Sequence, residues 1–239
     1  MLNIITSTLI LILCMLSVDI SAESRSVITV HFDEREKGID PYPVRYIFAG
    51  NILRVDDNTN DGDFILYDDK KRVIYSVNHD DSTILVIENK DWKMPVFTFQ
   101  RNVSWRLIED APAFDSKPVY NYWLSANEKV CTEAQVVEGF LIKEAHLLKR
   151  YRQTLSAGQV DAIAATPEDM RTPCLLIDNV YNTGSVYEKG FPIQQWHLNG
   201  LQRIMTTYKK DTQYKESLFV LPKDYKKYSM GDNLSFGER

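Results

Sequence analysis

Three short apolar segments, separated by two polar, Asp-rich breaks, occupy the stretch from Gly62 to Glu88. Each segment is too short for a helix of ordinary length. In the second segment, Val73, Tyr75 and Val77 alternate with more polar neighbours, and this period of two places successive side chains on opposite faces of a sheet. The pattern predicts a β-meander that forms a wall. Its three strands are Phe64–Tyr67, Val73–Val77 and Thr83–Ile87.

Strand-type composition continues on both sides of this meander. Two earlier stretches, "SVITVHF" and "YPVRYIFAGNILRVDD", are rich in β-branched and aromatic residues, and the second has a turn signal at Gly50-Asn51. "PVFTF" and "VSWRLI" follow the meander. Near the end, "GFPIQQWHLNGLQRIMTTYKKD" predicts a hairpin that turns at Asn199-Gly200, and "YKESLFVLP" predicts a further strand.

The middle of the chain has a different, helical character in "TEAQVVEGFLIKEAHLLKRYRQTLSA". Thr132 and Gln135 fit a capping box, which predicts a helix start there, and Gly158 predicts its end. Thr166-Pro167 predicts a second helix start, and strands are expected to resume after Cys174. Strands, helices and strands again, without regular βαβ alternation, indicate an α+β fold. We therefore expect a curved, largely antiparallel sheet (a half-barrel) with a mid-chain helical insert packed on one face.

This layout resembles the LolA-like family of curved antiparallel half-barrels. The resemblance extends over roughly residues 27–228 and is carried by "ILRVDD", "FILYDDKKRVIYSV", the helical insert and "SLFVLPKDYKKY". The family includes the periplasmic lipoprotein carrier, whose helix-covered concave face binds acyl chains. The resemblance implies a ligand-binding concavity without catalytic residues. The cysteine pair and an acidic loop depart from the carrier, so lipoprotein transport itself is not implied.

The first 22 residues predict an exported protein. An apolar run from Leu9 to Leu16 leads to the small residues Ser21 and Ala22, as in a secretory signal peptide cleaved after Ala22. An uncleaved anchor is the alternative, but the apolar stretch is short for a membrane span. The expected organisation is a signal peptide at 1–22, a single domain at 23–228 and a loose tail at 229–239. The mature protein would be soluble and periplasmic.

Cysteine content and charge refine this picture. Removal of the signal leaves Cys131 and Cys174, an even number that in an exported chain predicts one disulfide, with two buried thiols as the alternative. The net charge is −5 and the basic residues are scattered, which argues against nucleic acid as a partner.

The sequence contains no recognised catalytic or zinc-binding motif, and no cofactor is expected. Asp57, Thr59, Asp61, Gly62 and Asp68 do match positions of a calcium-binding loop. However, strands flank this loop instead of helices, and a solvated turn between strands has the same composition. We therefore predict no metal at this loop.

One face of the predicted helix is apolar and contains our candidates for ligand contact. Such a stripe either packs into the core or lines a cleft beneath a helical lid. Glu144 falls within it, and Arg45 or Arg54 would be a suitable partner for its carboxylate. The candidate ligand-facing residues are Leu141, Glu144, Leu148, Tyr151 and Leu155.

These observations favour a non-enzymatic, exported binding protein for an apolar, acyl or other lipid ligand in the concave face. The alternative is an envelope protein-interaction or structural factor whose concavity is filled by its own side chains. An open apolar cleft would distinguish the first function from the second.

Overall fold

A curled, open sheet of twelve strands is the framework of the computed structural model, which describes residues 27–91, 99–112, 114–181, 184–211 and 215–229. The strands are β1 (Val27–Arg35), β2 (Tyr42–Ala49), β3 (Ile52–Asp56), β4 (Phe64–Asp68), β5 (Val73–Asn78), β6 (Thr83–Glu88), β7 (Arg101–Leu107), β8 (Val119–Ala126), β9 (Lys129–Glu138), β10 (Gly190–His197), β11 (Gln202–Asp211) and β12 (Lys226–Ser229).

The strand order is β12-β6-β5-β4-β3-β2-β1-β11-β10-β9-β8-β7. Every neighbouring pair among these strands is antiparallel except β12, which lies parallel to β6. The predicted, largely antiparallel sheet is therefore confirmed. The three-strand meander, the turn at Gly50-Asn51 and the late hairpin at Asn199-Gly200 also lie where the sequence predicts them.

The mid-chain helical segment is present, but its predicted start is wrong. Thr132 and Gln135 lie in strand β9, and helix α1 extends from Ile142 to Ala165, with Gly158 inside it. A 3₁₀ helix (Glu168–Met170), helix α2 (Pro173–Leu176), a π-helix (Ile177–Tyr181) and a second 3₁₀ helix (Ser185–Tyr187) follow. Cys174 therefore lies in a short helix, and strands resume at Gly190.

The end of the chain corrects a further prediction. "SLFVLP" contributes to a 3₁₀ helix, Glu216–Phe219, instead of a strand, because Leu218 and Phe219 turn inward to cover apolar side chains of the sheet. Strand β12 includes Ser229, the first residue of the predicted tail. The predicted signal peptide, residues 95–98 of "PVFTF" and residues 230–239 lie outside the described residues.

One hydrophobic core joins strands from opposite ends of the sheet order. Ile74 and Ile87 on β5 and β6 belong to the same buried cluster as Val119 and Tyr122 on β8. Helix α1 lies against β5, β6 and β10 and contributes Leu148 to this cluster. The sheet curls around the helix because the apolar faces of its distant strands are buried against the same helix.

A charged hydrogen-bond cluster fixes helix α1 to the meander. Arg150 Nε on the helix donates to Asp69 Oδ1 at 2.8 Å, and Tyr67 Oη on β4 donates to the same oxygen at 3.0 Å. Burial alone would raise the pKa of Asp69, but these hydrogen bonds and the charges of Arg150 and Arg72 hold that pKa below its ordinary value. The ionised carboxylate is therefore part of the folded structure.

Asp69→Asn is expected to lower the free energy of unfolding by about 1–2 kcal/mol at neutral pH, because it weakens two hydrogen bonds to a charged group. The folded pKa is depressed, so this stabilisation is complete above the unfolded value of about 3.9 and is lost as the pH falls through the folded value. Urea unfolding of wild type and variant from pH 7 to pH 3 measures the difference, which should shrink at the acid end.

Glu188→Gln is the matched control for this prediction. It removes the Lys149–Glu188 ion pair, also anchored on helix α1, in which the Glu188 side chain is half exposed. Exposed pairs contribute about 0–1 kcal/mol. Equal losses from both substitutions, or a loss at Asp69 that does not depend on pH, would contradict the assigned role of the Asp69 carboxylate.

Candidate functional site

An open cleft of about 480 Å³ lies between the curled sheet and the helical segment that follows α1. Its floor is the neighbouring strands β9, β10 and β11, and its opposite wall is formed by α1, α2, the π-helix and the second 3₁₀ helix. The floor contributes Thr132, Gln195, His197 and Arg203; the opposite wall contributes Arg152, Cys174, Leu175, Asp178, Asn179, Val186 and Tyr187. The lining is thus both polar and apolar.

The register of the three floor strands brings their polar side chains together. His197 on β10 lies directly opposite Thr132 on β9, and Gln195 lies opposite Arg203 on β11. Gln195 and His197 are two residues apart, so they project from the same face of the sheet. The alternation of the strands therefore builds a continuous polar floor from residues far apart in sequence.

Thr132, Asp178 and His197 form a hydrogen-bonded cluster at one end of this floor. The Thr132 hydroxyl donates to Asp178 Oδ1 at 2.6 Å, and its oxygen lies 3.1 Å from His197 Nδ1. His197 Nδ1 is also 3.7 Å from Asp178 Oδ2. Arg152 supports this arrangement from helix α1, because its guanidinium donates to the backbone carbonyl of Asp178 at 2.7 Å.

Arg203 forms the other end of the floor. Its Nε donates to Glu34 Oε1 at 2.6 Å, and its guanidinium carbon lies 5.6 and 5.3 Å from the ring centroids of Phe32 and Tyr46. Burial alone would lower the pKa of Arg203, but the phenolic group of Tyr46 and the carboxylate of Glu34 more than offset it and raise the pKa. Arg203 therefore stays charged beside two aromatic rings.

The predicted disulfide between Cys131 and Cys174 is confirmed, with α-carbons 5.1 Å apart. The bond does not join the start of helix α1 to the end of the helical segment. Cys131 lies in β9 and Cys174 in α2, so the bond joins the floor of the cleft to its opposite wall. The disulfide therefore holds the two sides of the cleft together.

None of the five sequence candidates for ligand contact lines this cleft. Leu148 and Tyr151 are buried in the main core, and Leu141 and Leu155 pack against it. Glu144, in the first turn of α1, is half-buried. The suggested partners of Glu144, Arg45 and Arg54, instead bind Asp56 at 2.8 and 2.6 Å. The apolar face of the helix is therefore used mainly for packing.

The aspartates in and after the loop between β3 and β4 accept hydrogen bonds from nearby residues of the chain. Asp57 Oδ1 accepts hydrogen bonds from the hydroxyl and backbone nitrogen of Thr59, and these bonds lower the pKa of Asp57. Asp68 accepts from the backbone of Lys70 and Lys71. Within the described ranges, no group of three or more His, Cys, Asp or Glu side chains is placed to hold a metal ion.

Sequence reasoning identified only one part of this cleft. The aromatic and polar side chains of "QQWHL" are typical either of a cleft edge or of the filling of a curved sheet, and this stretch contributes Gln195, His197 and Leu198 to the cleft. Thr132 was missed because it was assigned to a helix cap. Arg152, Asp178 and Arg203 lie in no local sequence motif, so the sequence alone did not indicate them.

No family model matches the chain, and no curated protein matches it. Among solved structures, the chain is similar to an uncharacterised conserved protein from Thermus thermophilus, at 8% identity and a TM-score of 0.44, covering 85% of this chain and 90% of that one. It is also similar to PNGF-II, at 8% identity and a TM-score of 0.40, covering 85% of this chain but only 31% of PNGF-II. Among the described residues, no helix combines the length and hydrophobicity needed to cross a bilayer.

Proposed function

We propose that the protein is an exported, non-enzymatic binding protein that holds an acyl-type ligand in the cleft between strands β9–β11 and the disulfide-linked helices. The observation that carries this proposal is the cleft itself. Its volume of about 480 Å³ lies within the range of sites for small ligands, about 300–1,000 Å³. Val186, Tyr187 and Leu201 provide apolar surface for a hydrocarbon body beside the polar floor.

A LolA-like half-barrel is part of the same proposal. It is supported by the curling of the sheet around α1 and by the helical cover on one face. The proposed ligand position differs from the one expected from the sequence. The ligand would lie in the cleft near the Cys131–Cys174 bond, instead of beneath the apolar face of α1.

Native mass spectrometry of the protein purified from a periplasmic extract is the test. We expect a co-purifying acyl-type molecule on a chain that begins at Glu23. Leu201→Trp should abolish the bound mass, because the indole would fill part of the cleft. Leu107→Trp is the matched control, since Leu107 is 45% exposed on β7, outside the cleft.

The expected results are retention of the ligand in wild type and Leu107→Trp and its loss in Leu201→Trp, with the wild type and both variants folded by circular dichroism. Absence of any bound molecule from the wild type, together with no binding of added medium-chain fatty acids, would contradict the proposed function.

A protein-interaction or structural role in the envelope is the second candidate. The packing of α1 favours it, because Leu147, Leu148 and Tyr151 fill the space between helix and sheet that a lipid carrier would keep open. Under this alternative, Leu201→Trp would not alter any bound mass, and the protein would be captured with a protein partner after cross-linking in intact cells.

A further inference from the structure

The hydrogen bonds of the Thr132 cluster determine which nitrogen of His197 carries a proton. A threonine hydroxyl has one hydrogen, and that of Thr132 is donated to Asp178 Oδ1. The Thr132 oxygen can then only accept from His197 Nδ1, so Nδ1 bears the hydrogen. In the neutral ring, Nε2 is consequently a hydrogen-bond acceptor, and it has no partner among the described residues.

Arg203, at the other end of the cleft floor, offers hydrogen-bond donors instead of an acceptor. Only its Nε has a hydrogen-bond partner within the described part of the chain, which leaves the terminal guanidinium nitrogens to bind an anion. The Arg203 side chain is 19% exposed and lines the cleft. Its partner Glu34 is buried and does not line the cleft. A guanidinium in this position favours a planar acidic group such as a carboxylate.

The geometry of the sheet sets the distance between the α-carbons of His197 and Arg203. Gln195 lies directly opposite Arg203 and two residues from His197. One strand spacing and two residues of rise along a strand place the α-carbons of His197 and Arg203 roughly 8 Å apart. Asp178, the acidic side chain that lines the cleft, lies at the His197 end, so it would repel an acid there and favour one orientation.

Resting on the proposed function, we propose that the ligand is a hydroxylated or otherwise donor-bearing acid. Its carboxylate pairs with Arg203, and its hydrogen-bond donor, at the other end of the molecule, binds His197 Nε2. The hydrocarbon between them lies against Tyr187 and Val186. The site therefore selects a two-ended amphipathic molecule over a simple fatty acid.

Isothermal titration calorimetry of the delipidated wild-type protein with four probes tests this proposal without any substitution. The probes are octanoate, 8-hydroxyoctanoate and the methyl ester of each. Replacing acid by ester should weaken binding about tenfold or more, because it removes a charge-assisted hydrogen bond. Removing the hydroxyl should weaken binding about fivefold, as expected for a neutral hydrogen bond.

Two variants assign each preference to its residue. Arg203→Gln combined with Glu34→Gln removes both charges of the ion pair together, which avoids leaving the buried Glu34 unpaired, and should abolish the preference for acid over ester. His197→Phe should abolish the preference for the hydroxyl and keep the preference for acid. Arg106→Gln, on β7 outside the cleft, should keep both preferences.

The outcomes separate the two proposals. Equal affinity for acids and esters in the wild type would overturn the two-ended ligand while leaving the binding function in place. An acid preference that survives loss of Arg203 would also overturn it. Failure of all four probes to bind, together with no co-purifying molecule, would overturn both the ligand class and the binding function.

Discussion

Leu148→Ala is expected to lower the free energy of unfolding by about 2–5 kcal/mol, as for a large aliphatic side chain removed from a packed core. Leu148 is 2% exposed and lies in the cluster shared by helix α1 and distant strands of the sheet. Truncation would leave a cavity where the helix meets the sheet. Chemical denaturation monitored by circular dichroism measures the loss, with an unchanged m-value as the sign that unfolding stays two-state.

Leu107→Ala is the matched control for this cavity. It removes the same atoms from a side chain that is 45% exposed, so its cost should stay within about 0.5 kcal/mol. A small loss at Leu148, accompanied by reduced ligand retention, would show instead that Leu148 borders a ligand. That outcome would return the binding site to the apolar face of α1 predicted from the sequence.

Removal of the disulfide by Cys131→Ala with Cys174→Ala is expected to cost up to about 4 kcal/mol. The two residues are 43 positions apart, and a closed loop of this length restricts the unfolded chain by about that amount. The bond also joins β9 to α2, which face each other across the cleft. Ligand affinity should therefore fall together with stability.

A reductant provides the control for the disulfide. Dithiothreitol should lower the melting temperature of the wild type toward that of the double alanine variant and leave the variant unchanged. Calorimetry with 8-hydroxyoctanoate before and after reduction measures the effect on the cleft. A reduced wild type as stable as the oxidised protein would show that the bond adds nothing to the fold.

The sheet was largely predictable because its strands carry their signal locally. Val73 to Val77 alternates between faces, and Asn199-Gly200 turns a hairpin, so neither needs information from distant residues. Strand β9 also alternates, with Thr132, Ala134 and Val136 buried and Glu133 and Gln135 less so. Good helix formers and an apparent capping box obscured the strand alternation in this segment. The segment is a strand because it pairs with both β8 and β10.

The cleft was harder to predict because its parts meet only through tertiary structure. Arg203 faces Glu34 because β11 pairs with β1, and Asp178 reaches Thr132 because a disulfide and a π-helix place it there. No sequence motif indicates either contact. The cysteine pair was predictable because two cysteines remain after the predicted signal peptide, whereas the position of the bond beside a cleft depends on the strand assignment of Cys131.

The central position of β1 has a consequence for the order in which the protein folds. Val27 pairs with Asp211, so the seam between β1 and β11 joins residues that are far apart along the chain. Strands β1 to β6 can form a meander as they are synthesised, but the seam cannot close until β11 has left the ribosome. Such distant pairing slows folding, often to milliseconds or seconds. The edge of β1 that pairs with β11 would therefore stay unpaired through most of the synthesis of the chain.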